Sequence, residues 1–504
     1  MGPLAFVLSP FIVLAVGALL LMLAEAFGTG QRDHDGHRTA SGLALGTTMV
    51  FAAGFAFSVG AWLYGTEDVA GKELLAPWLV VDRFSLFFDA LLCLGGAIST
   101  LLAGGYLREH EMERGEFYSL LLFSTLGAMM IASSGDALMI FLGLETMSIG
   151  AYALTAFRRT SARSAEGALK YFLLGSFAAA ILLYGFALLY GATGHTDLAG
   201  IGDAVKANAG GHAPMVLVAL VLVLVGLAFK VSAVPFHMWA PDAYEGAPTP
   251  GTTYMASVVK AGAFAMFLRV MLTCFGDKAS MSWSSGWPPA VAWMAVITMT
   301  VANLIAGQQE SVKRMLAYSS IAHAGYLLVG VVGTMHSPQS GTASVLFYLL
   351  TYSVSTAGAF GALILCGRRG AEAVTFEDLA GIGRRHPPAA LAFSLFLLSL
   401  AGIPPTAGFF GKWFIFRSAM DSGLTLVTVI AFLNSVIGAY YYLRVMVFMY
   451  MREPAAGAPI AVPMKSGYVT AALILSALFV IALGIVPSQL LDISIKAAAI
   501  FGSG

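Results

Sequence analysis

Four ionisable side chains stand inside long apolar runs of this sequence: Glu145, Lys230, Lys260 and Lys412. A charge in hydrocarbon costs roughly 2.5–3.5 kcal/mol on insertion scales, so intramembrane charges mark ion or proton pathways by default. Removal from water disfavours the charged form of a lysine, and a nearby carboxylate restores it. A pair such as Glu145 and Lys230 can therefore act as a gate. When the carboxylate approaches, the ammonium is held; when it withdraws or is neutralised, the proton leaves. The expected order of transfer is Glu145–Lys230, then Lys260, then Lys412. Water and polar groups such as His237, Ser257, Ser320 and His323 would link them. Blander readings stand beside this one. Glu145–Lys230 also fits a static buried pair, and such pairs often add little stability. His237 and His323 equally fit hydrogen-bonded core histidines, and Asp89 is open in the same way. Lys170, close to a span end, fits a snorkelling side chain, and Arg269, Arg417 and Arg444 read as anchors at span ends.

The elements that must position these groups are membrane helices. The chain has 504 residues, 58% hydrophobic and 11% charged, against about 25% charged in a soluble domain. Lys plus Arg equals Asp plus Glu, so no nucleic-acid surface is suggested. Cys93, Cys274 and Cys366 are far apart, with no CxxC pair or Cys/His cluster, so neither iron–sulfur ligation nor structural zinc is supported. No Gly-rich nucleotide loop or P-loop occurs. The first apolar run has no basic residue before it, which favours a retained span over a cleaved signal peptide.

Runs long enough to cross a bilayer predict about fourteen helices: 4–27, 41–64, 84–107, 117–134, 136–157, 167–193, 214–240, 249–275, 287–307, 313–334, 342–366, 388–419, 423–450 and 467–491. Arginine and lysine crowd alternate loops (Arg32, Arg38, Arg108, Arg114, Arg158, Arg159, Arg163, Lys313, Arg314, Arg368, Arg369, Arg384, Arg385, Arg452, Lys465). The other loops hold Lys72, Lys206 and Lys278, with Arg83 at a span edge. By the positive-inside rule both termini face outward.

The seventh and twelfth spans are broken. In the seventh, Pro235 and Pro241 follow Lys230; in the twelfth, Gly402, Pro404, Pro405, Gly408 and Gly411 precede Lys412. Proline removes a backbone donor and clashes with the carbonyl four residues back, which must find another partner in lipid. Breaks five spans apart make spans 4–8 and 9–13 two five-helix units. An odd span number inverts the second, a pattern known from transporters whose ions bind at discontinuous helices. The expected organisation is 1–115, an N-terminal three-span region; 116–275, the first repeat; 287–450, the second; and 451–504, a C-terminal span.

Several motifs resemble the antiporter-like subunits of respiratory complex I. They are Leu-Gly-Leu-Glu145-Thr-Met-Ser, Ala-Leu-Lys170-Tyr-Phe, Lys230-x4-Pro235-Phe-His237-x-Trp239-x-Pro241-Asp242, Lys313-Arg-Met-Leu-Ala-Tyr318 through His323, and Gly402-Ile-Pro404-x-Thr406-Ala-Gly408-Phe-x-Gly411-Lys412. The match runs from about Glu116 to Arg444. Within that superfamily the chain is most similar to the subunit N family of bacterial NADH:quinone oxidoreductases. Gly-Lys-Trp ends the twelfth-span motif, Asn434-Ser435 precedes Tyr440-Tyr-Tyr-Leu-Arg444, and no long lateral helix follows.

The resemblance implies an all-α polytopic membrane protein that moves protons, coupled to electron transfer elsewhere. It implies Glu145 as partner of Lys230, Lys260 as the central connecting residue, and Lys412 as the terminal exchanging residue. Lys170, with His237 and His323, becomes a possible relay. It places FMN, iron–sulfur clusters and quinone in partner subunits and no cofactor or metal in this chain. The partners implied are other membrane subunits of a complex I-type assembly, in the bacterial inner (cytoplasmic) membrane, with both termini periplasmic. A cation/proton antiporter subunit or a membrane-bound hydrogenase subunit is the alternative. Sodium would want more carboxylate or carbonyl oxygen at mid-membrane than these lysines leave room for.

Overall fold

The computed structural model describes residues 2–27, 41–65, 72–207, 214–367, 372–454 and 462–502. Arg32, Arg38, Arg368 and Arg369 of the arginine-rich loops lie outside these residues. Among the described residues the chain is helical, with isolated bridges and no strand. The principal helices are α1 (Ser9–Phe27), α2 (Ser41–Tyr64), α3 (Arg83–Glu109), α4 (Glu116–Ala132), α5 (Ala137–Thr155), α6 (Ala162–Thr193) and α7 (Pro214–Lys230). They continue as α8 (Trp239–Gly246), α9 (Thr249–Cys274), α10 (Pro288–Ala306), α11 (Val312–Val332), α12 (Pro338–Leu365) and α13 (Pro387–Ala401). The last four are α14 (Ala407–Asp421), α15 (Thr425–Met451), α16 (Gly467–Ile485) and α17 (Pro487–Ala498). Eleven helices are long and apolar enough to cross a membrane, and three shorter apolar helices, α4, α7 and α13, join them. Each falls on one of the apolar runs.

The run 467–491 ends sooner than its hydropathy suggests. Pro487 disfavours helical backbone at the residue before it, so α16 stops at Ile485 and Pro487 starts α17 as its first helical residue. That helix lies against α12 and α3.

The middle of the bundle is α3, α9, α11 and α12. The apolar stretch of α9 is 100% buried and that of α11 94%, whereas α1 is 22% buried and presents its side chains outward. A helix apolar all round belongs in the interior of a large bundle, and α9 carries Lys260.

Packing recurs along the chain. In residues 116–275, α4 packs on α5, α5 on α6, α6 on both α7 and α8, and α9 on α4. In residues 287–450, α10 packs on α11, α11 on α12, α12 on both α13 and α14, and α15 on α10. The two broken spans share one ending. At α7 the amide of Ala233 reaches the Ala228 carbonyl, and that of Ser232 the Phe229 carbonyl. At α13 Ile403 reaches Leu398 and Gly402 reaches Ser399. Both are Schellman closures with a left-handed residue past the helix end. Gly402 (φ 83°) takes that conformation freely, and Ser232 (φ 63°) adopts it against its own sterics. The expected carbonyl freed by Pro235 is thus not inside a helix, because α7 already ends at Lys230. The Phe229 carbonyl instead also accepts the Trp239 indole N–H at 3.1 Å.

Candidate functional site: a buried lysine series

Lys230, Lys260 and Lys412 are all buried, at 5%, 3% and 5% exposure. Lys230, the last residue of α7, donates to the Ser148 hydroxyl of α5 at 2.7 Å. The Tyr152 and Tyr171 rings lie 5.9 and 5.5 Å from its ammonium, and Trp239 stacks flat on Tyr171 at 4.1 Å. Gly175 makes room for Tyr152: a Cβ there would fall 2.1 Å from the Tyr152 hydroxyl and push the ring aside. A cavity of about 10 Å³ touches Lys230, Ser148 and Tyr152, the lower edge of the volume that holds one water.

Glu145 sits on α5 one turn before Ser148 and is half-buried. Its charge and that of Lys230 act on each other through space, but no hydrogen bond or ion pair joins them among the described residues. The expected partner is therefore a neighbour, and the direct contact belongs to Ser148.

Lys260 is held differently. Its ammonium donates to the carbonyl and the hydroxyl of Ser320 on α11, both at 2.6 Å. Tyr352 of α12 donates to the same hydroxyl at 2.8 Å, and its ring lies 5.7 Å from the Lys260 ammonium. His323, one turn along α11, packs on the Tyr352 ring at 4.9 Å. Its Nδ1 meets the Tyr348 hydroxyl at 2.5 Å and its Nε2 the Tyr442 hydroxyl at 3.0 Å. Tyr442 also bonds Ser319. The Tyr352 ring lies against both Lys260 and His323, and the Tyr326 ring against both His323 and Lys412, at 5.7 Å from His323, so His323 lies between the two lysines.

Lys412 on α14 donates to the Ala401 carbonyl and the Ser435 hydroxyl, each at 2.9 Å. It lies 5.2 Å from the Tyr326 ring. The break in span twelve is built around it. A Cβ at Gly402 would lie 2.9 Å from the Lys412 side chain, and one at Gly408 would fall 1.9 Å from the Ser399 carbonyl.

Other expected members stand apart. Lys170 is 44% exposed and bonds Asp242 and Glu166, each at 2.7 Å, touching none of the buried lysines. His237 lies in the break before α8, its Nδ1 bonding no described residue. Ser257 bonds the Thr253 carbonyl and not the Lys260–Lys412 series. Arg269 is no surface anchor: it is buried, pairs with Asp82 at 2.7 Å and reaches the Ala132 carbonyl. Arg444 binds the Gly307 and Gln309 carbonyls past the end of α10, and Arg417 is exposed beside Asp421. Asp89 is fully buried with both oxygens unpartnered among the described residues. Sequence reasoning missed Ser148, Tyr348, Tyr352, Ser435 and Tyr442. Tyr348 and Tyr352 carried a signal, since a spacing of four puts them on one helical face.

The chain is similar to known membrane proteins over nearly its whole length. The NADH:quinone oxidoreductase/Mrp antiporter transmembrane family model matches residues 134–438. NADH-quinone oxidoreductase subunit N 1 of Sorangium cellulosum is 65% identical over 494 residues, covering 97% of each chain. A chain of respiratory complex I from Thermus thermophilus, solved with bound aureothin, is 35% identical with a TM-score of 0.77, covering 96% of this chain and 98% of that one. A chain of the Mrp complex from Dietzia shares the fold (TM-score 0.84) at 23% identity, over 98% of this chain and 97% of that one.

Proposed function

The chain belongs to the subunit N family of NADH-quinone oxidoreductases, the antiporter-like, proton-translocating membrane subunits of complex I, and from that premise we propose which of its residues carry the proton. Lys260 and Lys412 are the exchanging amines, with Ser320, Tyr352, His323, Tyr348 and Tyr442 between them. Glu145 and Lys230 form the gate at the other end, Ser148 holding the amine while the carboxylate biases its charge. The observation that carries this reading is His323, bonded on both ring nitrogens by tyrosines and flanked by the Tyr352 and Tyr326 rings that face Lys260 and Lys412. A histidine with both nitrogens engaged can take a proton on one side and release one on the other.

The repeated packing supports residues 116–275 and 287–450 as inverted units. The arginine-rich loops support a cytoplasmic face at the end of the bundle that holds Arg158, Lys313 and Arg384, in a bacterial inner membrane with periplasmic termini. Lys170 belongs to the polar surface of that face and not to the relay. FMN, iron–sulfur and quinone chemistry lies in partner subunits, whose redox state drives the gate. The test is NADH-driven proton uptake in inside-out native membranes. Lys230→Ala and Lys260→Ala should each lower uptake per NADH oxidised, with Lys170→Ala close to normal. Unchanged uptake in the first two sinks the assignment.

A further inference from the structure

A second polar line meets Lys260 from the opposite direction to His323. Along α9 hydroxyls recur every four residues. The Thr249 hydroxyl donates to Glu372 at 2.5 Å, that of Thr253 to the Thr249 carbonyl at 2.9 Å, and that of Ser257 to the Thr253 carbonyl at 2.7 Å. Lys260 comes three residues later, past a π-turn over Met255–Val259. Such turns widen a helix and cluster at functional sites. Helix α3 packs closely on this line. Its Gly95 lies against Ser257, where a Cβ would come 3.5 Å from the hydroxyl and 2.8 Å from Val258. Four residues further on, on that same face of α3, Ser99 is fully buried and its hydroxyl bonds no described residue. Ser353, beside Tyr352 on α12, is a second buried hydroxyl of this kind. Orphan hydroxyls in an interior are the ones ordered water satisfies.

At the outer end of the line sits Glu372. It accepts from Thr249 and Tyr106 and pairs with Lys313 at 3.3 Å, while Arg158 donates to the Tyr106 hydroxyl at 2.8 Å. Lys313 is itself fixed to the Ala247 carbonyl at 2.7 Å. The backbone just beyond Glu372 is stitched to the start of α11, Val312 donating to the Val374 carbonyl at 2.6 Å. Burial would raise the Glu372 carboxyl, but Lys313, with Thr249, Tyr106 and Arg158, brings it down to about 2. Glu372 is therefore a fixed anion that closes this end, and not a carrier.

We propose that Thr249, Thr253 and Ser257, with Ser99 opposite them, line a hydrated proton-uptake route from the arginine-rich face to Lys260, and that the Glu372–Lys313 pair is its latch. The route rests on the proposed function and names its inlet. A proton from bulk water enters where the latch opens. Each hydroxyl with its water passes one proton inward and regains one from behind. Lys260, as free amine, ends protonated, and every group behind it ends neutral.

The test uses the assembled complex in inside-out membranes. Thr253→Val keeps shape and removes the hydroxyl. It should slow NADH-driven proton uptake roughly tenfold, the order of one hydrogen bond made to a transferring proton, and Thr253→Ser should restore it. Lys260→Ala is measured beside it. If Lys260→Ala lowers uptake but Thr253→Val and Ser257→Ala do not, the route is wrong and the lysine series stands. If Lys260→Ala is itself without effect, the parent reading fails. The latch has its own readout. In a chain with its native cysteines replaced, Thr253→Cys should react with a charged, water-soluble thiosulfonate added on the arginine-rich side. Glu372→Gln should speed that reaction several-fold and Glu372→Asp should reverse the gain. Equal rates with and without Glu372→Gln, or no reaction in either, overturn the latch.

Discussion

The two ends of the lysine series are built to different rules. Between Lys260 and Lys412 lie two hydrogen-bonded clusters, Lys260–Ser320–Tyr352 and Tyr348–His323–Tyr442, with the His323 and Tyr352 rings packed against each other. Around Lys230 lies an aromatic wall, Tyr152, Tyr171 and Trp239, whose Tyr171 hydroxyl bonds nothing described. The ammonium there has one hydrogen-bond partner, Ser148. Water can bridge neighbouring polar clusters and pass a proton between them, but not across an apolar gap. The Lys260–Lys412 region is thus built to conduct and the Lys230 region to wait. That division suits a gate at Lys230, where the supporting serine and the through-space carboxylate can be uncoupled one at a time.

The difference can be broken most severely at His323. His323→Leu removes the link between Tyr348 and Tyr442, and coupled proton uptake should fall by on the order of 10²-fold, as for a lost general acid–base. Tyr171→Phe removes a hydroxyl that bonds no described residue and should leave uptake near normal. A large loss in Tyr171→Phe, measured in native membranes, would show that the gap is a conductor after all.

Ser148→Ala takes from Lys230 its only hydrogen-bond partner among the described residues, whereas Ser435→Ala leaves Lys412 bonded to the Ala401 carbonyl. An orphaned buried donor costs roughly 1–3 kcal/mol. The first change should therefore lower the thermal midpoint of the complex more than the second; the reverse order would remove the asymmetry. The helix endings divide in the same direction. Gly402→Ala places a Cβ 2.9 Å from Lys412 in a left-handed residue and should destabilise by about 1–3 kcal/mol. Ser232→Gly relieves the same conformation and should stabilise by up to about 1 kcal/mol. Denaturation of the solubilised complex reads both.

The smallest effect concerns pH. The Glu372 carboxyl titrates in the folded chain at about 2, below the unfolded value of about 4.3. Its stabilisation is whole above the unfolded value and is lost as pH falls through the folded one. Glu372→Gln should therefore flatten the dependence of the thermal midpoint on pH between about 4.3 and 2. An unaltered slope would show that Lys313 does not hold this carboxylate.

Which parts of this were legible in the sequence follows from what hydropathy and helix breakers encode. The spans, the two breaks and the buried amines were readable because apolar length, proline, glycine and an intramembrane charge are local signals. Contacts between helices were not. Serine looks the same in an apolar run whether it faces lipid or an ammonium, so Ser148 and Ser435 went unseen. Ser257 read as a link between the lysines; its hydroxyl bonds the Thr253 carbonyl one turn back, a contact that its place within the π-turn sets. Arg269 read as an end anchor because its partner, Asp82, is distant in sequence. Lys170 matched a motif, and only the fold shows that Asp242 and Glu166 hold it at the surface.

The account turns on whether the buried amines sit on hydrated lines, and a water-resolving map of the assembled complex decides it. It should show ordered water continuous from Lys260 past His323 to Lys412, with a break at Tyr171 on the Lys230 side. Dry side-chain packing around Lys260 and Lys412, closed from both faces, would contradict it.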